Sequence, residues 1–186
     1  MKIINVFNGE ECKKIISSIE DNIEQLKISN ENGWSYLSAY EMNTAKLPIE
    51  IQSLIQDKIK DISNFKVTQN FVIKYNKNLV PGMLGHYDAS SLTIPINLNN
   101  NFKGGETNFP FLKHKHIPQN YANGSGLLFK GDKLKSWHEA LPVTEGDRYV
   151  LVLKFNKTNN VFIQLFTLIK LLISTKIIEL FIKKPS

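Results

Sequence analysis

The stretch Arg148-Tyr149-Val150-Leu151-Val152-Leu153-Lys154-Phe155 reads as a β-strand entered from a turn at Glu145-Gly146-Asp147. Branched and aromatic side chains suit a pleated, half-buried surface, and glycine beside aspartate punctuates it. Upstream, Gly126-Leu127-Leu128-Phe129, Leu92-Thr93-Ile94-Pro95-Ile96-Asn97-Leu98 and Phe71-Val72-Ile73-Lys74-Tyr75 have the same character. Pro95 has no N–H to give a ladder, so it points to an edge or a bulge. Further turn signals stand at Pro81-Gly82, Lys103-Gly104-Gly105 and Asn123-Gly124. Earlier still, Ile15, Ile16, Ile19, Ile23 and Leu26 recur at helical spacing, as do Ile51, Leu54, Ile55, Ile59 and Ile62 after Pro48. The pattern predicts a mostly β domain with supporting helices. Its N-terminal helices, within 1–66, pack on the sheet, and a sandwich or jelly-roll core occupies 70–156.

At 186 residues the chain fits one domain with a short appendage, here 1–160 and 161–186. Its 42% hydrophobic content and mixed-sign charge exclude wholesale disorder. Half of the net charge of +6 comes from 161–186, where Lys170, Lys176, Lys183 and Lys184 face only Glu179. The remainder is mildly basic and lacks a stripe of aromatic and basic residues, so no nucleic acid is expected as partner. Cys12 is the single cysteine, and the N-terminal apolar run is too short for a signal peptide. A reducing, cytoplasmic compartment is therefore expected.

His86 and Asp88 are separated by one residue in Gly85-His86-Tyr87-Asp88-Ala89, so on a strand both point to one face. Trp137-His138-Glu139 supplies a second imidazole, from a strand that a rolled sheet can bring close. Two imidazoles and a carboxylate form the facial triad of non-haem Fe(II) oxygenases and leave positions open for co-substrates. Arg148 follows His138 by ten positions and is suited to binding the far carboxylate of a 2-oxo acid. His-x-Asp alone is a weak signal. The combination with Gly104-Gly105-Glu106-Thr107-Asn108-Phe109-Pro110 and His138-x-x-x-Pro142-Val143-x-x-Gly146-x-Arg148 is far more specific.

On these residues the segment from about Phe71 to Phe155 resembles the Fe(II)/2-oxoglutarate-dependent dioxygenases of the prolyl 4-hydroxylase-like subfamily. The resemblance implies a double-stranded β-helix, which is a jelly roll. It implies His86, Asp88 and His138 as ligands of Fe(2+), Arg148 at the C5 carboxylate of 2-oxoglutarate, Thr93 near the same carboxylate, and Tyr75 lining that pocket. It implies O2 as the second co-substrate, L-ascorbate as a supporting reductant, and hydroxylation of a peptidyl residue, proline first. Many members have lysine where Arg148 stands, and the spacing from Tyr75 to His86 is about two residues longer than usual. Asp88 argues for hydroxylation, because related halogenases place a small residue there.

Competing readings are a metal-binding jelly roll without activity, an oxygenase acting on a small molecule, and a zinc hydrolase, which leaves Arg148 without a role. Gly104-Gly105-Glu106-Thr107 is read as a turn. Lys113-His114-Lys115-His116 is read as a solvated basic loop, since no carboxylate or cysteine stands near. The segment 161–182 reads as an amphipathic or apolar helix, with polar Gln164, Thr167, Lys170 and Ser174 at helical spacing. Packing on its own domain or on a second copy, lying on a membrane surface and spanning as a tail anchor stay open, in that order.

Overall fold

The computed structural model describes residues 1–29, 39–157 and 169. Its strands are β1 (Lys2–Asn5), β2 (Lys27–Ser29), β3 (Ala39–Asn43), β4 (Lys66–Asn76), β5 (Met83–His86), β6 (Leu92–Asn97) and β7 (Lys103–Gly104). Then come β8 (Thr107–Phe109), β9 (His114–His116), β10 (Ser125–Leu128), β11 (His138–Ala140), β12 (Val143–Glu145) and β13 (Asp147–Asn156). The helices are α1 (Gly9–Glu20) and α2 (Ile49–Ile59). One antiparallel sheet runs β1-β10-β6-β13-β4-β3-β2, a second runs β5-β11-β8-β9, and β12 pairs with β7. This is the expected jelly roll with helices packed outside.

β13 organises the larger sheet, pairing β4 along one side and β6 along the other. Its period of two sorts the side chains. Tyr149, Leu151, Leu153 and Phe155 join Val72 of β4 and Ile94 and Ile96 of β6 in the main core. Cys12, Ile15 and Ile19 of α1 and Ile51, Ile55 and Ile59 of α2 close that core from outside. Val150 and Val152, on the opposite face, join Ile73, Tyr75, Phe102 and Val143. Burial thus assigns one face of β13 to the helices and leaves the other facing the smaller sheet.

The helices start where their sequence allows. The Asn8 side chain accepts from the Glu11 amide while the Glu11 carboxylate accepts from the Asn8 amide, a capping box. Pro48 stands just before α2, as expected. Both helices end sooner than their apolar spacing suggests. Ile23 falls in a short 3₁₀ turn and Ile62 lies past the end of α2, yet both still pack against the core. Lys74 on β4 binds Glu20 at 3.0 Å and Asp147 at 3.1 Å, and the Tyr149 hydroxyl donates to Glu20 at 2.6 Å. This cluster fastens the end of α1 to the sheet.

Several local expectations need correction. The region 1–66 also supplies β1, β2 and β3, short strands that complete the large sheet. Pro95 is neither at an edge nor in a bulge, because β6 lies between β10 and β13. Thr93 directs both its backbone groups to Phe129. Alternation therefore turns position 95 to the same side, where pairing with β10 reduces to the Thr93–Phe129 bridge and Gly126 opposite Ile96. The ladder tolerates proline where it is already broken. Gly104 ends a short strand instead of lying wholly in a turn, with φ of 73° there and 70° at Gly105. His114–His116 is strand β9, paired to β8, and His116 is buried and stacked on Tyr121.

Among the described residues no helix is long and apolar enough to cross a membrane. The segment expected as a helix over 161–182 lies outside them, apart from Ile169. Leu151 is fully buried where β13 meets both neighbours. Leu151→Ala is therefore expected to cost about 2–5 kcal/mol, read as a lower urea midpoint at unchanged slope.

Candidate metal centre

β11 pairs β5 so that His138, the first residue of one, faces His86, the last of the other. Their rings lie 4.5 Å apart. Asp88 follows His86 just beyond the strand end and is 3% exposed. Its Oδ1 is 3.9 Å from His86 Nε2 and its Oδ2 is 3.7 Å from His138 Nε2. One donor atom from each residue falls within 4.8 Å of the others. Metal bonds of about 2.1 Å at right angles need donors about 3 Å apart, so a small inward movement completes the set.

The ring orientations suit this. His86 Nδ1 bonds the Leu84 carbonyl at 2.8 Å, and His138 Nδ1 bonds the Ser136 carbonyl at 2.9 Å. A carbonyl only accepts, so each Nδ1 carries the proton and each Nε2 keeps its lone pair for a metal. Burial, helped by neighbouring His138, lowers the pKa of His86 to about 4, so its ring is neutral at pH 7. Burial alone would favour protonated Asp88. The cation of Lys154 and the two imidazoles overcome it and hold the carboxyl well below the usual range. Lys154 Nζ lies 2.9 Å from Asp88 Oδ1. Phe109 stacks on His138 and Phe129 meets it edge-on, which closes the back of the site to water. The donors thus fit a divalent ion such as Fe(II) on one face.

Arg148 is 3% exposed at the start of β13, on the face shared with Val150 and Val152. Its Nε donates to Asn97 Oδ1 at 3.4 Å, and the Asn97 amide is oriented by its own bond to the Asn99 carbonyl. The guanidinium lies against Tyr75, 5.4 Å from the ring centroid, and Phe102, 5.9 Å away. Among the described residues Arg148 forms no ion pair. A buried cation so poorly compensated is costly, and a carboxylate ligand offsets the cost. Gly105 gives its stem room, because a Cβ there would sit 3.1 Å from Arg148 Cδ. Tyr75 is buried beside Arg148. Burial raises its pKa to about 12, with Arg148 opposing and Asp88 adding to the rise.

No family model matches the chain. Over 90 residues it is 32% identical to the human multifunctional procollagen lysine hydroxylase and glycosyltransferase LH3, covering 47% of this chain and 12% of that protein. Over 86 residues it is 38% identical to the procollagen lysyl hydroxylase and glycosyltransferase of Acanthamoeba polyphaga mimivirus, covering 44% and 9%. The chain thus spans about a tenth of the length of these relatives. Among solved structures, a Trichoplax adhaerens prolyl hydroxylase in complex with a hypoxia inducible factor peptide superposes with a TM-score of 0.65 at 16% identity, covering 83% of this chain and 82% of that one. The viral collagen prolyl hydroxylase of Paramecium bursaria Chlorella virus-1, in a 2OG complex, gives 0.58 at 19% identity, covering 82% and 93%. The fold is that of the prolyl hydroxylases. The resemblance read from the motifs is found again in both comparisons, with lysyl hydroxylases among the relatives by sequence and prolyl hydroxylases among those by structure.

The structure brings His86, Asp88 and His138 together, and it sets Tyr75 against Arg148. Thr93 does not join Arg148. Its hydroxyl bonds Ser90 at 2.6 Å, and its register partner on β13 is Lys154. The polar residue of β6 that meets Arg148 is Asn97. Sequence reading passed over Asn97 and Lys154, although period two puts Asn97 on the face of Thr93 and Lys154 on that of Arg148. His116, held down to a pKa of about 4 by burial and then by the charge of Arg148, carries no such signal. Only the pairing of β9 with β8 brings it in.

Trp137 lies directly over Gly85, where a Cβ would come within 1.7 Å of the indole. Gly85→Ala must therefore displace the residue preceding His138. A stability loss of about 1–3 kcal/mol is expected, together with weaker Co(II) binding in an absorption titration.

Proposed function

We propose that the chain is an iron- and 2-oxoglutarate-dependent hydroxylase acting on a prolyl or lysyl residue of a polypeptide. One observation carries this reading. A three-donor cluster and a buried guanidinium that forms no ion pair among the described residues lie in one fold, with Tyr75 packed against the guanidinium. The names of the relatives support a peptidyl substrate and divide between proline and lysine.

Iron bound there supplies the coupling of O2 reduction and 2-oxoglutarate decarboxylation to oxygen insertion into a C–H bond. The chain supplies the rest. The backbone carbonyls of Leu84 and Ser136 fix the imidazole tautomers. Asp88 brings one negative charge, leaving the centre cationic towards an anionic co-substrate. Arg148 takes the far carboxylate of 2-oxoglutarate through its planar fork, in a pocket walled by Tyr75 and Phe102. Phe109 and Phe129 exclude water behind His138. L-ascorbate is proposed as a supporting reductant. The segment 161–182 is proposed to serve self-association or contact with a membrane surface, apart from the chemistry.

The deciding assay is succinate formation with Fe(II), 2-oxoglutarate and ascorbate, in the presence of proline-rich or lysine-containing collagen-like peptides. Turnover that rises with either peptide assigns the substrate. Absence of succinate from metal-loaded protein rejects the reading. Asp88→Ala is expected to abolish succinate and metal binding together. Arg148→Met should leave metal binding intact and raise the 2-oxoglutarate requirement about 10–100-fold, as for loss of a charge-assisted contact.

A further inference from the structure

Lys154 is a charged residue on a strand whose neighbours Leu153 and Phe155 are fully buried in the main core. Alternation therefore turns its side chain to the inner face, at the opposite end of β13 from Arg148. Its Nζ lies 2.9 Å from Asp88 Oδ1 and 5.4 Å from the Phe71 ring centroid. The side chains of the pair are 20% and 3% exposed. For stability alone such a pair is a poor choice, because desolvating two charges consumes most of their attraction. The asymmetry of the contact is the informative point. Each carboxylate oxygen faces one imidazole, Oδ1 with His86 Nε2 at 3.9 Å and Oδ2 with His138 Nε2 at 3.7 Å, but Lys154 occupies Oδ1 and leaves Oδ2 without an ammonium.

Building on the oxygenase reading above, we propose that Lys154 is a positioning residue of the metal centre. Its ammonium holds Asp88 Oδ1, so the carboxylate offers the metal Oδ2 alone. With one carboxylate oxygen and two imidazoles as its donors, a bound metal would keep positions open for a chelating 2-oxo acid and O2. An unrestrained carboxylate could turn and chelate through both oxygens, taking one of those positions. The ammonium also repels the metal, so the chain gives up some metal affinity for open coordination.

Two opposed changes follow in Lys154→Met, whose chain is of similar length and apolar. Co(II), titrated by its absorption into the full-length protein, is expected to bind at least about tenfold more tightly once the repulsion is gone and the second oxygen is free. The affinity of the Co(II)-loaded protein for 2-oxoglutarate, followed by the same absorption, is expected to fall at least tenfold. Lys154→Arg, which keeps the charge, should leave both within threefold of the parent. A purely structural lysine predicts the opposite sign for the metal, since loosening Asp88 weakens Co(II) binding. Weaker or unchanged Co(II) affinity in Lys154→Met overturns the proposal, as does an arginine variant that behaves like the methionine one. If Lys154→Met does not fold, Lys154→Gln carries the same test. Asp88→Ala separates this from the broader reading. Parent protein that binds no Co(II), or binds it equally well without Asp88, removes the metal centre and the lysine's role with it. Intact parent binding with no response at Lys154 rejects only the lysine.

Discussion

The alternation of β13 is the constraint on which the other features depend. Paired on both sides, the strand cannot slip by one residue without exchanging its whole buried set for its inner set. Leu151, Leu153 and Phe155 secure it against the helices. Arg148, Val150, Val152 and Lys154 are thereby committed to the interior between the sheets. The two cations stand at opposite ends of this inner row, one against Tyr75 and Asn97, the other against Asp88. Hydrophobic burial on one face thus holds charges on the other that would otherwise move to water.

The metal donors come from the second sheet and are placed by register. His86 and His138 are neighbours because β5 and β11 pair at those residues. Asp88 reaches the same point because it lies two positions past His86, beyond the strand, with Gly131 close against its Cβ. The site is therefore shared between the sheets, with imidazoles and carboxylate from one side and guanidinium and ammonium from the other. One carboxylate faces two cations there, so the site stays cationic without a ligand, with Asp88 engaged by Lys154 and Arg148 the less compensated of the two.

Much of this was legible in the chain because it is local. Period two exposed β4, β6, β10 and β13, helical spacing exposed α1 and α2, and the one-residue gap between His86 and Asp88 carried the centre. The misreadings share a different origin. β1, β2 and β3 carry no clear alternation of apolar residues and are ordered as partners in the large sheet. His114 is exposed as expected, whereas His116 looked solvated because its own segment is basic and only pairing with β8 buries it. Pro95 was judged by its missing donor, yet the gap it leaves falls where β10 already pairs sparsely. Thr93 was assigned by analogy of position, whereas the actual neighbour of Arg148 is Asn97 on the same face.

The two histidines share a further feature. Each bonds a carbonyl two residues earlier in its own chain segment, Leu84 for His86 and Ser136 for His138. Neither ring relies on a distant side chain, or on an ion, for its orientation. The imidazole orientations are set once the strands have formed. Folding and metal loading would then be separate events, since the imidazoles take their orientation from the chain and not from an ion.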